Sequence, residues 1–367
     1  MKEFLHVLSA EIKKALLNKS AVAIFAVFLV IYLAISLIFT VADDETSEQV
    51  LSNMSGFRSQ DISYFSPSYL NQCDGNRISL KNRDVEIARQ IVGNIDEDDS
   101  LIYRYKSKLN YNLEKKSLAI MKHEINNGVE TQDMTETALF SQVSLSIFQI
   151  IAVIGTIAVG ASVISSAETD TISPRPIKRW KLLTCKFFSV MIYGLIMYAL
   201  GLIFTFLLGG LIFGFDGFNY TFVRALGPDA VLAASVIPYT VISAALSFTQ
   251  IILFISMVFL TYCLFKSSTL AAVLPILVYL VSSFMASPIA MLDIEISKYL
   301  IFFNLDLSSF LYSYAPLHTG LTIMVSAVIM VVHFVVFMAL SYILFARRNF
   351  TSSGTMPKAL SNETVHS

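Results

Sequence analysis

The sequence predicts an all-α polytopic membrane protein: six transmembrane helices, with a large, mainly helical extracytoplasmic insertion after the first. Three observations predict it. Six stretches, 20–42, 138–167, 187–215, 230–265, 267–292 and 307–346, contain no Asp, Glu, Lys or Arg. Each is at least as long as the roughly 20 apolar residues that cross a bilayer as a helix. Charged residues make up only 14% of the chain and hydrophobic residues 55%, against about 25% charged in a soluble domain. Basic residues, finally, collect in alternate connections between the apolar stretches. Hydrocarbon offers the backbone no water to bond with, so the spans have to be helices.

Residues 1–19 read as a cytoplasmic amphipathic interfacial helix. Phe4, Leu5, Leu8, Ile12, Leu16 and Leu17 recur at helical spacing, opposite Glu3, Glu11, Lys13 and Lys14. The first transmembrane helix follows at 20–42. Its basic start and the tripeptide Thr40-Val41-Ala42 resemble a signal peptide. The apolar stretch, however, outruns the roughly 7–15 residues of a signal core, so an uncleaved span is expected.

Residues 43–137 form the extracytoplasmic domain, with helices expected at 80–92 and 101–125. Leu101, Tyr105, Leu109, Leu113, Ile120 and Ile125 give the second of these an imperfect apolar stripe. The run Asp96-Glu97-Asp98-Asp99 reads as a solvated turn, because it lacks the Gly and the closing Glu of a calcium loop. Residues 138–346 hold the five further spans. They include a basic loop at 168–186 and an aromatic-rich extracytoplasmic segment at 292–317, suited to short interfacial helices. Residues 347–367 are a cytoplasmic tail.

Orientation follows from the basic residues, which favour cytoplasmic loops. Lys13, Lys14 and Lys19 precede the first span, and Arg175, Lys178, Arg179, Lys181 and Lys186 separate the second from the third. Lys266 separates the fourth from the fifth, and Arg347 and Arg348 follow the sixth. Six spans put all of these on one side, with both termini cytoplasmic in a multi-pass protein of the plasma membrane. The 43–137 loop carries 17 acidic and 11 basic residues and lies on the other side, since long loops translocate largely regardless of charge.

Chemistry in this chain is sparse. No phosphate-binding GxxxxGK[ST] loop is present, which excludes a conventional ATPase. Cys73, Cys185 and Cys263 show no metal spacing, and no metal, cofactor or catalytic constellation is expected. The spans carry no carboxylate of the kind that ion-driven transporters often use. Gln149, Gln250 and His333 are the residues for a possible intramembrane polar site, with simple interhelical hydrogen bonding as the plainer role.

The basic loop is the most informative segment. It holds Glu168, Thr171, Arg175-Pro176-Ile177, Lys178-Arg179 and Lys186-Phe187. This order resembles the cytoplasmic coupling loop of type-2 ABC transporter permeases, the membrane subunits of ATP-driven exporters. It departs from that pattern at Asp170, where the family usually has Gly, and in a shorter stretch before the proline. The amphipathic start, six spans, large outer loop and Arg347-Arg348 ending accompany the motif.

The resemblance implies a permease subunit that is not itself an enzyme and that exports a lipid-like, peptide or drug-like substrate. ATP and Mg would sit on a partner ABC ATPase. Glu168, Thr171, Arg175, Pro176, Lys178, Arg179, Lys181 and Lys186 would couple the two subunits. It also implies a homodimer, or a heterodimer with a related permease, among membrane lipids and with no nucleic acid partner. Two other readings stay open: a sensor or immunity protein that binds a ligand through its outer domain, and a secondary transporter.

Overall fold

The computed structural model describes residues 2–41, 74–95, 99–127, 135–166, 178–226, 231–291, 294–312 and 321–347. Helix α1 (Lys2–Leu16) closes on Lys13 and Lys14, cations favoured beside its C-terminal carbonyls. The chain then bends by 51° into α2 (Lys19–Val41). Helices α3 (Asp74–Gly93) and α4 (Leu101–Asn127) pack against each other, with Lys81 paired to Glu114 at 2.5 Å. Both helices expected in the inserted domain are therefore present. Tyr105 and Ile120 of the apolar stripe are buried, and Leu101 is exposed.

Helix α5 (Glu136–Ser165) starts where the Thr135 side chain accepts a hydrogen bond from the Ala138 amide, with Glu136 in its first turn. Helix α6 (Arg179–Phe213) stops at Gly214, whose φ of +89° suits glycine alone. A short 3₁₀ turn, Asp216–Asn219, leads to strands β1 (Thr221–Ala225) and β2 (Val231–Ser235). The strands pair antiparallel with Thr221 opposite Ser235 and Ala225 opposite Val231. Helix α7 (Val236–Phe265) ends on Lys266 in the left-handed conformation, φ 56°, and α8 (Ser268–Met291) follows at once. A 3₁₀ turn (Glu295–Tyr299) and the short helices α9 (Ile301–Asn304) and α10 (Ser309–Tyr312) precede α11 (Ile323–Arg347).

Among the described residues, four helices are long and apolar enough to cross a membrane: α5, α6, α7 and α11. The bent pair α1–α2 is a fifth candidate, and α8 contributes the shorter apolar stretch Ser268–Ser282. The all-α expectation needs correcting at the β-hairpin. The apolar run from 230 begins as strand β2, and the helix starts only at Val236. Phe222, Val223 and Val231 are β-branched or aromatic and each faces a small alanine across the pair, a pattern that fits a half-buried pleated surface and favours strand over helix. The last span is also shorter than its charge-free run. Leu307, Phe310 and Leu311 belong to buried short segments, and α11 begins at Ile323. The expected turn at Asp96-Glu97-Asp98 lies outside the described residues.

Helices α5 and α7 form the centre, with α6, α8 and α2 packed on α5 and α11 on α7. Close approach depends on small residues at two points. A side chain at Gly155 would run into Ile24, and one at Gly201 would come within 2.5 Å of the Phe148 ring. Phe148 in turn meets Phe28 at 5.0 Å between centroids and Tyr198 at 5.3 Å, so α2, α5 and α6 share one aromatic core.

Candidate functional site

The described ends of the helices sort into two groups, and the site lies at the more basic one. Helix α1 lies along the start of α6 and turns Glu11 inward beside the fully buried Ala15. Lys186, two turns into α6, has no exposed side-chain surface. Its Nζ lies 3.0 Å from Glu11 Oε2 and donates to Ser166 Oγ at 2.8 Å. Ser166 caps the C-terminus of α5 and spends its own hydroxyl proton on the Val163 carbonyl. One ammonium thus joins α1, α5 and α6. A buried charge is tolerated when it is paired and hydrogen-bonded in this way.

Four further contacts gather the same end. Asn18, at the bend between α1 and α2, donates from Nδ2 to Ser162 Oγ at 2.7 Å. The Tyr262 hydroxyl, near the end of α7, donates to the Ser165 carbonyl at 3.5 Å. Arg179 donates to the Ala346 carbonyl at 3.3 Å, and the Thr184 and Tyr342 hydroxyls meet at 2.7 Å, tying the start of α6 to the end of α11. The described segments that flank the basic connections therefore come together in space. At the opposite end, α4 and α10 pack on β1, and the Tyr239 hydroxyl donates to the Leu311 carbonyl at 3.1 Å.

Of the residues expected to couple to a partner, Glu168, Thr171, Arg175 and Pro176 lie outside the described residues. Lys178 and Arg179 are exposed, Lys181 is half-buried, and the Lys181 ammonium lies 5.8 Å from the ring of the exposed Trp180. Lys186 needs correcting as a docking residue, because burial against Glu11 leaves it no surface to offer. Glu11 was expected on the polar face of α1, but it turns inward. One signal for the burial of Lys186 is legible, a lysine set directly against Phe187-Phe188 with no charge following until Asp216. Asn18, Ser162 and Ser166 carry no pattern that marks them.

The possible intramembrane site divides. Gln149 of α5 donates from Nε2 to Gln250 Oε1 of α7 at 2.8 Å, fully buried. His333 stands apart from this pair. Its Nδ1 contacts the Ile329 carbonyl of its own helix at 2.8 Å, and its ring lies against Phe337.

The sequence profile of one family matches residues 109–351, more than half of the chain. The chain belongs to the DUF2705 family, whose description is "Protein of unknown function". In this DUF2705 protein the matched residues include Lys186 and the Gln149–Gln250 pair, while Glu11 lies before them. The chain is also similar to the "Uncharacterized protein YhcI" of Bacillus subtilis (strain 168), at 25% identity over 179 residues. That match spans 48% of this chain and about half, 56%, of the relative. No solved structure matches the chain.

Proposed function

We propose that this DUF2705 protein is the membrane subunit of an ATP-driven exporter, with six spans and both termini cytoplasmic. ATP and Mg are held by a separate ABC ATPase, and two permease subunits form the membrane unit. The observation that carries this reading is the buried Glu11–Lys186–Ser166 link. It fastens an amphipathic helix to the first turns of the helix that leaves the basic loop. A force applied to that loop from below would therefore reach α1, α5 and α6 together. Exposed Lys178 and Arg179, beside Trp180, give the loop's end a cationic surface suited to an acidic patch on a soluble partner.

The remaining expectations fit the same reading. The α3–α4 pair and the 294–312 segment belong on the extracytoplasmic side. The substrate class is lipid-like, peptide or drug-like, in keeping with a bundle whose central buried polar pair, Gln149 with Gln250, is neutral.

The test is purification of the tagged full-length protein from mild detergent, with mass spectrometry of bound proteins and an ATPase assay. A near-stoichiometric ATPase, whose activity is lost or uncoupled by Arg175→Ala with Arg179→Ala, is the expected result. A folded, membrane-inserted preparation with no ATPase sinks the proposal.

A further inference from the structure

Beside the bend between α1 and α2 the surface opens into a cleft of about 410 Å³. Lys13, Lys14, Leu17 and Asn18 line it on one side, and Ser162, Val163 and Ser166 of α5 on the other. Its depth in the fold is fixed by two apolar runs. The first begins at Ser20, just past the bend, and the second ends at Ala167, one residue past Ser166. If α2 and α5 lie in a bilayer, the cleft sits where hydrocarbon gives way to headgroups.

Its chemistry is mixed in a particular way. Lys186 and Glu11 lie behind it and neutralise each other, so its positive character comes from Lys13 and Lys14, both exposed. Directly beside these lysines stand exposed apolar side chains, Leu17 at 77% and, on the next turn of chain, Val22 at 57%. A soluble anion would use the ammonium groups and leave the apolar side chains wet. A molecule with a negative head and hydrocarbon tails would use both.

We infer that this cleft binds the headgroup of an anionic phospholipid. The phosphate lies between Lys13 and Lys14, and the acyl chains run along Leu17 and the exposed face of α2. The inference needs only the bilayer and no ATPase partner, so it stands or falls separately from the transport reading.

The test uses the full-length protein in mild detergent, titrated with phosphatidylglycerol, phosphatidylcholine or glycerol phosphate and read by native mass spectrometry. Wild type is expected to retain phosphatidylglycerol over phosphatidylcholine. Lys13→Gln with Lys14→Gln should weaken that retention roughly 30-fold, since each surface lysine contributes about a factor of five to anionic-lipid attraction. The matched pair Lys106→Gln with Lys122→Gln, exposed lysines of α4 at the opposite end of the bundle, should leave it unchanged. Leu17→Ser, a second and independent variant, should weaken lipid retention without unfolding the bundle. Equal retention of the two lipids overturns the inference, as does an equal loss in both lysine pairs. Displacement of the lipid by glycerol phosphate at matched concentration also overturns it, and marks a free-anion site instead.

Discussion

The two ends of the bundle are held by different physics. At the basic end a buried ion pair, Glu11 with Lys186, joins three helices through one ammonium, and a ring of directed hydrogen bonds surrounds it. At the opposite end neutral hydrogen bonds, such as Tyr239 to Leu311, accompany a mainly apolar contact. Ala138, Phe218, Phe222, Val236, Tyr239 and Leu311 pack as one cluster, with the Phe222 and Tyr239 rings 4.3 Å apart. Dispersion and burial tolerate small slides, whereas a buried ion pair tolerates almost none, because separating its charges exposes each to a medium that cannot solvate it. The basic end is thus the stiffer of the two, and the hairpin end the more adaptable.

Lys186→Ala tests this contrast with the largest expected effect. It leaves the Glu11 carboxylate buried without its counter-charge and should lower stability by about 3–5 kcal/mol. Thermal unfolding in detergent measures it. Glu11→Gln combined with Lys186→Met removes both charges and should recover most of that loss. A double variant as unstable as the single one would show that pairing is not the source.

At the other end, Phe222→Ala should cost about 3 kcal/mol through lost burial and the cavity left behind. No second-site change of charge should rescue it, and unfolding curves of the combined variants with Glu11→Gln would reveal any coupling between the two ends.

Between the ends, Gln149→Leu strands the Gln250 amide and should cost about 0.6–2 kcal/mol. The double change to Leu at Gln149 and Gln250 should restore stability, and a double-mutant cycle reads the pair energy directly. The smallest effect belongs to Lys266, which holds a left-handed backbone at the tight corner between α7 and α8. Lys266→Gly should raise the unfolding midpoint, by an amount equivalent to about 1 kcal/mol. A fall would mean that the lysine side chain contributes more than its backbone costs.

Much of the helical layout was legible because charge-free runs of span length leave few alternatives. The helices around 80–92 and 101–125 were legible from composition and a partial stripe. The hairpin was not. Its residues sit at the edge of an apolar run, and which of them pair is decided by contacts with α4 and α10, distant in sequence. The site was half legible. The basic residues at 178–186 lie at the same end of the bundle as the Glu11–Lys186 pair. Gln149 and Gln250 stood out as buried-span amides, and the structure brings them together. Helical periodicity placed Glu11 outward, because it counts charge as polar and cannot know that Lys186 lies opposite. His333 shows the reverse failure. A polar ring at mid-helix invites a partner, yet here the helix's own carbonyl supplies one.

The Gln149–Gln250 bond has one more consequence. Both partners are uncharged, and the four long apolar helices carry their Asp, Glu, Lys and Arg residues near their ends. An electric field across the membrane does about 2.3 kcal/mol of work per 100 mV on each elementary charge that crosses it, and here it finds almost nothing to pull. If these helices span a membrane, rearrangements about the Gln149–Gln250 bond are therefore voltage-blind. Changing the membrane potential of a cell or vesicle would leave their equilibrium where chemistry alone sets it.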